Sequence, residues 1–368
     1  MTQDPFASRL ARMRQEARNY GAEAVLVAPG PDLRYLVGYD ALPLERLTCL
    51  VVSTDGEASL VVPRLELLAA EASPVAALDV TLRPWGENED PYALVASLIP
   101  DCNRVALDNH MWFEKVVGLR EAAPHWSTML AGSIVSNLRM RKDDAEIAAL
   151  MRAGAAIDRV HARVPELMRA GRTEREVGLD IAEAILAEGH VAVDFIIVGS
   201  GPNGASPHHD VSDRVIAEGD VVVVDIGGTM PDGYRSDCTR TYAVGFAPPD
   251  FVYEYAALQE AQAAAVAHAR VGVTCESVDA AARDVLVAAG LGDLFIHRTG
   301  HGIGMETHEE PYIVSGNALV LDQGMAFSIE PGFYREGSYG ARIEDIVITG
   351  PEGLIVCNNQ PRDLVVVS

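Results

Sequence analysis

The stretch VVVVDIGGTMPDGYRSDCTRTY (221–242) contains an apolar run and a second, strand-like run, which are joined by the turn sequence PDG (231–233). Asp225 ends the first run, and Asp237 lies in the second. Because proline and glycine favour a tight turn, this spacing predicts two antiparallel strands that bring both aspartates to one cavity. The alternative is that each aspartate is an ordinary turn or strand-end residue.

Three later segments each carry one candidate ligand beside an apolar run or between glycines. They are His301 in HRTGHGIGMETHEEP (297–311), Glu330 in AFSIEPGFY (326–334) and Glu344 in GARIEDIVI (340–348). A carboxylate in an apolar strand is costly unless it meets a cation. If RIEDI is one strand, Arg342 would share a face with Glu344 and would be the alternative partner.

Four carboxylates and one imidazole form a hard, oxygen-rich set of ligands. The set is too large for one Mg2+ or one tetrahedral Zn2+, and it suits two divalent metal ions that share carboxylates. Oxygen ligands favour Mn2+, with Co2+ or Zn2+ as alternatives. Such a centre would activate water for hydrolysis.

Composition narrows the classes of function. The chain has 368 residues, of which 49% are hydrophobic and 22% charged, as in ordinary globular proteins, and its length predicts two domains. A formal charge of -24 disfavours nucleic acid and anionic membranes as partners. The charged sequence MTQDPFASRLARMRQE is unlike a signal peptide, and scattered cysteines fit a reducing compartment, so we predict a cytoplasmic protein.

Alternating helix and strand signals predict an α/β (α+β) protein with a small domain at 1–137 and a second domain at 138–368. In the second domain, Thr173 and Glu176 have the spacing of a capping box that begins a helix. The sequence GSGPNG (199–204) has the glycine spacing of a dinucleotide-binding loop. It contains proline and no helical pattern follows it, so we exclude nucleotide binding there.

The five ligand segments, in this order, resemble the pita-bread metallopeptidases, which include methionine aminopeptidase, aminopeptidase P and prolidase. The motifs FIHRTGHGIG, THEEP, IEPG and RIEDI are most similar to those of the prolidase (Xaa-Pro dipeptidase) and aminopeptidase P branch, over roughly 138–368. PDLRYLVGY (31–39) is similar to a segment of that branch's smaller, creatinase-like N-terminal domain. The resemblance implies a pseudo-twofold arrangement of antiparallel strands and helix pairs in the second domain.

The resemblance also implies a role for each ligand. Asp225 would bind the second metal ion, whereas Asp237 and Glu344 would bridge the two ions. His301 and Glu330 would complete the first metal site. The nucleophile would be a hydroxide held between the two ions.

Three catalytic roles follow from the same resemblance. His208 would lie beside the substrate, and His308 would contact the scissile carbonyl. An imidazole there can stabilise the oxyanion that forms on attack. Glu330 would also carry a proton from water to the leaving nitrogen.

The resemblance implies a substrate pocket as well. His297 would line its proline side, and Arg342 would lie near the bridging glutamate. A dipeptidase must bind a free carboxylate, for which Arg335 and Arg298 are the candidates. Some prolidases have an arginine at the position of Tyr312, so dipeptidase and aminopeptidase P both stay open.

We therefore predict a dinuclear-metal exopeptidase that hydrolyses the bond between an N-terminal residue and proline, in Xaa-Pro dipeptides or Xaa-Pro-Yaa peptides. The partner is then a small peptide with proline second, and the resemblance implies a homodimer. One alternative is a non-catalytic peptide-binding protein on the same fold. Another is a methionine-aminopeptidase-like or other aminopeptidase. The long N-terminal region argues against methionine aminopeptidase, and the intact ligand set argues against creatinase and a binding protein.

Overall fold

A computed structural model describes residues 4–368 of the chain. The chain divides after Arg139 into two compact units, each of which combines helices and strands. Within the described residues, no helix combines the length and the apolar composition that crossing a membrane requires.

The first unit is built on one mixed sheet with the strand order β4-β3-β2-β1-β5-β6. Its strands are β1 (Ala24–Val27), β2 (Cys49–Ser53), β3 (Ala58–Pro63), β4 (Val80–Trp85), β5 (Arg104–Leu107) and β6 (Ser127–Leu130). Its helices are α1 (Pro5–Asn19), α2 (Pro31–Val37), α3 (Leu67–Glu71), α4 (Pro91–Leu98), α5 (Phe113–Ala122) and α6 (Gly132–Arg139). Strands β1 and β3 are buried along their whole length, which explains their near-continuous apolar sequences.

The second unit contains long helices and several antiparallel strand pairs. Its helices are α7 (Asp144–Leu167), α8 (Glu174–Ala187), α9 (Pro249–His268) and α10 (Cys275–Ala288). Its strands are β7 (Ala192–Ser200), β8 (Val221–Thr229), β9 (Arg235–Val244), β10 (Gly300–Gly302), β11 (Glu309–Ile313), β12 (Ala326–Ile329), β13 (Gly332–Arg335), β14 (Tyr339–Arg342), β15 (Asp345–Gly350), β16 (Gly353–Val356) and β17 (Val365–Val367).

These elements form two similar halves. In the first half, α7 and α8 accompany a sheet with the order β17-β9-β8-β7; in the second, α9 and α10 accompany a sheet with the order β11-β10-β12-β15-β16. Each half has its own apolar core. The threonine before α8 and the threonine before α10 each form a β-bridge to a later segment, Thr173 to Val215 and Thr274 to Val320. This repetition is the pseudo-twofold arrangement that the sequence predicts.

Capping residues set where the first two helices of this unit begin. The side chain of Asp143 accepts hydrogen bonds at the start of α7, and Glu146 completes a capping box. Thr173 and Glu176 form the second capping box, at the start of α8, as their spacing predicts.

One local prediction is wrong. The sequence RIEDI does not form a single strand, because β14 ends at Arg342 and β15 begins at Asp345. Arg342 and Glu344 therefore lie on either side of a strand break rather than on one face of one strand. The break frees Glu344 from the ladder and lets it turn towards β9.

Candidate metal centre

The first two candidate ligands come from one strand pair. Strands β8 and β9 are antiparallel, with Asp225 opposite Thr239 and Asp237 opposite Gly227. Because Asp237 and Thr239 are two residues apart on one strand, the two aspartates lie on the same face of the pair. Both are buried. The predicted convergence of Asp225 and Asp237 is therefore present in the structure.

His301 lies in β10, where flanking glycines are a steric necessity. A Cβ atom at Gly300 would lie 1.9 Å from the carbonyl oxygen of Ser328, and one at Gly302 would lie 2.2 Å from that of Glu310. No side chain fits so close to a neighbouring backbone. The glycines thus let β10 pass between β11 and β12 and carry the imidazole inward.

Glu330 and Glu344 follow from the next strand pair. Strands β12 and β15 are antiparallel, and Ile329 lies opposite Asp345. Glu330 comes directly after β12 and Glu344 directly before β15, so the two glutamates are neighbours across the pair. The backbone N–H of Glu344 donates to the carbonyl of Thr239 at 3.1 Å, which joins this pair to β9 in the other half.

Distances place four of the five side chains in one cluster, and the charge of the fifth, Asp225, acts on Asp237. His301 Nε2 lies 3.2 Å from Glu330 Oε1 and 3.7 Å from Asp237 Oδ2. Asp237, His301 and Glu344 each offer a ligand atom within 4.8 Å of the others. The fifth member, Asp225, is held by Arg342 through an ion pair of 2.5 Å at its Oδ2 atom.

Two oxygen atoms in this cluster test whether it fits a metal. Asp225 Oδ1 and Glu344 Oε1 are buried, and neither has a hydrogen-bond partner among the described residues. Leaving a buried carboxylate oxygen without a partner costs free energy. The other oxygen of each is occupied, by Arg342 for Asp225 and by Thr239 for Glu344. The donor set therefore fits hard divalent cations, which would satisfy the two free oxygens.

The shifted pKa values of the carboxylates in this cluster also fit a site for cations. Burial, together with the negative charges of Glu344 and Asp225, raises the pKa of Asp237 well above its ordinary value. Burial and the charge of Glu330 likewise raise the pKa of Glu344. Burial acts to raise the pKa of Glu330, but the hydrogen bond and charge of His301, with the charges of His297 and Arg342, together outweigh burial and lower the pKa to about 2. Crowded carboxylates repel one another, and bound cations would remove that repulsion.

Arg342 does not pair with Glu344, which was the alternative partner. It is buried, and its Nη2 atom donates to Asp225 while its Nε atom donates to Thr239 at 3.2 Å. Its Nη1 atom donates to the hydroxyl of Tyr334 at 2.7 Å. The guanidinium thus fixes one oxygen of Asp225 and leaves the other free.

His297 is joined to the same network, and both of its ring nitrogens are used. Since the Tyr334 oxygen accepts from Arg342, its hydroxyl hydrogen is free to go to His297 Nε2, 2.9 Å away. His297 Nδ1 then carries the proton and donates to the carbonyl of Arg298 at 2.7 Å. Burial lowers the pKa of His297, which fits this neutral form. Its predicted contact with substrate is therefore limited to packing of the ring.

Two histidines lie at the open side of the cluster. His308 is exposed, and its ring centre lies 4.1 Å from that of His301. Although the residue is exposed, partial loss of solvent around it, followed by the charges of His301 and Arg298, lowers the pKa of His308 to about 4. His208 is also exposed, and its charge also acts on His308. His308 thus lies beside the candidate ligand His301, and the catalytic roles of both histidines stay predictions.

The remaining predicted substrate residues differ in their surroundings. The guanidinium of Arg298 lies 4.4 Å from the ring centre of Tyr312, and within residues 4–368 it has no carboxylate partner. Arg335 forms an ion pair with Glu254 of α9. Arg298 is therefore a better candidate than Arg335 for binding a free carboxylate of the substrate. Both roles stay predictions.

Sequence reasoning missed one carboxylate near this site. Glu174, the first residue of α8, is fully buried and accepts hydrogen bonds from residues that surround His208 in the chain. Its only sequence signal was its place beside the capping residue Thr173. That position alone predicts a helix start and nothing more.

Comparison with known proteins gives matches over nearly the whole chain. Residues 148–351 match Metallopeptidase family M24, and residues 9–141 match the Creatinase/Prolidase N-terminal domain. A relative from Mycobacterium tuberculosis, "Probable dipeptidase PepE", is 52% identical over 363 residues, which are 98% of this chain and 96% of the relative. The "Xaa-Pro dipeptidase" of Lactobacillus helveticus is 34% identical and covers 97% of this chain and 98% of its own.

Similarity to a solved structure extends to the fold. The crystal structure of dipeptidase PepE from Mycobacterium ulcerans has a TM-score of 0.95 and 52% sequence identity to this chain. The match covers 99% of this chain and 98% of that one. Both halves of the second unit and the whole first unit are therefore shared.

Proposed function

This chain belongs to metallopeptidase family M24, and we propose that it is a two-metal exopeptidase that hydrolyses the bond between an N-terminal residue and proline. The observation that carries the proposal is the buried group of Asp237, His301 and Glu344, with Glu330 3.2 Å from His301 and with two unpartnered oxygens on Asp225 and Glu344. The names of its relatives, a dipeptidase and an Xaa-Pro dipeptidase, support an exopeptidase for small peptides.

The five side chains would hold two divalent ions, with Asp237 and Glu344 shared between them. Such ions acidify a water molecule and polarise a carbonyl oxygen. Oxygen-rich ligands favour Mn2+ over Zn2+. The protein's own contribution is to keep these carboxylates buried and close together, which no set of exposed side chains would do.

The leaving proline nitrogen requires a proton donor among the residues of the site. An Xaa-Pro bond is a tertiary amide without an N–H group, and its nitrogen, like that of any amide, must receive a proton as it leaves. Glu330 lies at the edge of the cluster, where Ser328 Oγ donates to its Oε1 atom at 3.0 Å. We assign Glu330 the transfer of a proton from water to that nitrogen.

His308 and His208 complete the proposed machinery. With its pKa lowered to about 4, His308 is neutral at physiological pH and can donate one ring N–H. Aimed at the scissile carbonyl, that N–H would stabilise the oxyanion. His208, whose charge acts on His308, would contact the substrate as well.

In an Xaa-Pro dipeptide the proline bears the free C-terminal carboxylate, whereas in a longer peptide it does not. Arg298, stacked on Tyr312, is the guanidinium we assign to that carboxylate. This assignment favours the dipeptidase over aminopeptidase P.

Hydrolysis assays test the proposal directly. The purified protein, stripped of metal and reloaded with Mn2+, should cleave an Xaa-Pro dipeptide faster than the matching Xaa-Pro-Yaa tripeptide and the matching Xaa-Ala dipeptide. A preference for the tripeptide would replace the dipeptidase with aminopeptidase P. A fully loaded protein that cleaves no prolyl peptide would overturn the function.

Manganese as the natural metal, a homodimer and a cytoplasmic location stay predictions. Each has a simple check: the metal found on purification, the mass in solution and fractionation of cells. None of them changes the chemistry assigned to the cluster.

A further inference from the structure

The segment that carries His208 runs from Gly201 to Ser212 and contains no α-helix or strand of its own. It begins with a 3-10 turn, Gly201–Ala205, directly after β7. Such a segment needs side-chain contacts to hold one conformation. Most of those contacts converge on a single buried carboxylate, Glu174.

Both oxygens of Glu174 are used. Its Oε1 atom accepts from the N–H and hydroxyl of Ser200, at 2.8 and 2.7 Å, and from Asn203 at 3.1 Å. Its Oε2 atom accepts from the hydroxyl of Ser212 at 2.5 Å and from His209 Nε2 at 2.8 Å. Because a carboxylate only accepts, His209 must carry its proton on Nε2. One side chain therefore holds the start, the middle and the end of the segment.

These bonds keep the carboxylate charged. Burial raises the pKa of Glu174, but the hydrogen bonds from Ser200 and Ser212 outweigh burial and lower it below its ordinary value. A charged carboxylate can accept at both oxygens, whereas an amide would accept at one and donate at the other. The arrangement of donors around Glu174 thus fits glutamate and does not fit glutamine.

Helix capping does not explain Glu174. Thr173 and Glu176 already form the capping box of α8, in which each accepts a backbone hydrogen bond of the other. The donors that meet Glu174 come instead from the end of β7 and from the segment that follows it. The position of Glu174 therefore serves the segment rather than the helix.

The opposite side of the segment rests on the candidate metal centre. A Cβ atom at Gly340 in β14 would lie 2.1 Å from the carbonyl oxygen of Gly204, so the two backbones touch. The Nη2 atom of Arg342, which pairs with Asp225, also donates to the carbonyl of Pro207 at 3.4 Å. The residue next to Pro207 is His208, whose backbone is thereby held between Glu174 and the metal cluster.

We propose that Glu174 is a positioning residue of the active site, which fixes the segment 201–212 so that His208 faces the metal centre. The inference rests on the proposed function, in which His208 contacts the substrate. Glu174 acts through the backbone of the segment and touches neither substrate nor metal. Displacement of a catalytic group by about 1 Å can cost about 100-fold in rate, so the anchor matters for turnover.

A double-mutant cycle tests this coupling. We compare wild type, Glu174→Gln, His208→Ala and the double variant, with Glu176→Gln as the matched control on the same helix. Glu174→Gln should lower kcat/KM about 30-fold in the wild-type background but less than about 3-fold when His208 is already alanine. Bound metal should stay unchanged, and Glu176→Gln should retain activity. An equal loss in both backgrounds would show that Glu174 does not act through His208 and would overturn the proposal.

Hydrogen exchange supplies a readout that needs no substrate. Amides of residues 201–212 should exchange faster in Glu174→Gln than in wild type, and not in Glu176→Gln. If Glu174→Gln does not fold, Ser212→Ala removes a single donor to Glu174 and should show the same two effects at smaller size. A wild type inert toward prolyl peptides would remove the proposed function, and exchange would still decide the anchoring. Unchanged exchange in 201–212 would overturn the inference.

Discussion

Glu174 and Glu344 are both buried glutamates of the second unit, but their surroundings are opposite. Glu174 accepts hydrogen bonds at both oxygens from neighbours that include Ser200 and Ser212. Glu344 has one bond, from Thr239, and its other oxygen has no partner among residues 4–368. The fold satisfies a structural carboxylate with its own donors. At the proposed metal site, by contrast, it leaves a carboxylate short of donors and crowded by like charges.

The largest effect should be a loss of activity when a carboxylate of the metal cluster is replaced. Glu344→Ala or Asp237→Ala removes a proposed bridging ligand and should lower kcat by at least about 1,000-fold, since the proposed metal centre would supply most of the rate. The measurement is hydrolysis of an Xaa-Pro dipeptide together with metal content. Near-normal activity of either variant in Mn2+-replete buffer would contradict the bridging roles.

Replacing glutamate by glutamine should change the free energy of unfolding in opposite directions at positions 174 and 344. In metal-free protein, Glu174→Gln breaks a satisfied network and should lower the free energy of unfolding by about 3 kcal/mol. Glu344→Gln removes one of several repelling charges and should raise it by about 1 kcal/mol. Urea unfolding in a chelator measures both.

Added metal should then remove the stability advantage of Glu344→Gln over wild type. Mn2+ should stabilise wild type but not Glu344→Gln, because the variant lacks the carboxylate that we propose to bridge the two ions. If both substitutions destabilise the metal-free protein equally, the contrast between the two glutamates is wrong.

A smaller effect should separate chemistry from metal binding. His308→Ala should lower kcat by about 100-fold, the usual scale for one oxyanion donor, while metal content stays unchanged. Stopped assays and elemental analysis of one preparation provide both numbers. Loss of metal in proportion to activity would make His308 a ligand or a structural residue instead.

The smallest effect is a dependence on pH. The folded pKa of Glu344 is raised, so metal-free wild type loses stability as pH rises above the ordinary value of 4.5, and the advantage of Glu344→Gln should grow there. The folded pKa of Glu174 is lowered, so its contribution is present above 4.5 and is lost as pH falls through the folded value. The deficit of Glu174→Gln should therefore shrink in acid. Unfolding curves between about pH 3 and 8 measure both trends; parallel curves would contradict them.

Local patterns and family motifs were enough to predict much of this molecule. The capping box at Thr173 and the strand pair that joins Asp225 to Asp237 depend on residues near in sequence, and both are present. The comparisons confirm the predicted combination of a creatinase-like first domain and a pita-bread second domain. The sequence GSGPNG forms a 3-10 turn at Gly201–Ala205 and is not followed by a helix.

Contacts between residues far apart in the chain could not be predicted. Arg342 pairs with Asp225, 117 residues away, rather than with its neighbour Glu344, because a strand break separates the neighbours. The tautomer of His297 depends on Tyr334, and the role of Glu174 depends on a segment beyond β7. No periodicity or spacing carries this information, since it arises only when the sheets pack.

Anomalous scattering from crystals grown with Mn2+ tests the central claim most directly. The account predicts two manganese peaks per chain, one bonded to Asp225 Oδ1 and both in contact with the carboxylates of Asp237 and Glu344. Full occupancy should satisfy the two oxygens that have no protein partner. Manganese that binds elsewhere, with these carboxylates still unligated at saturating Mn2+, would contradict it.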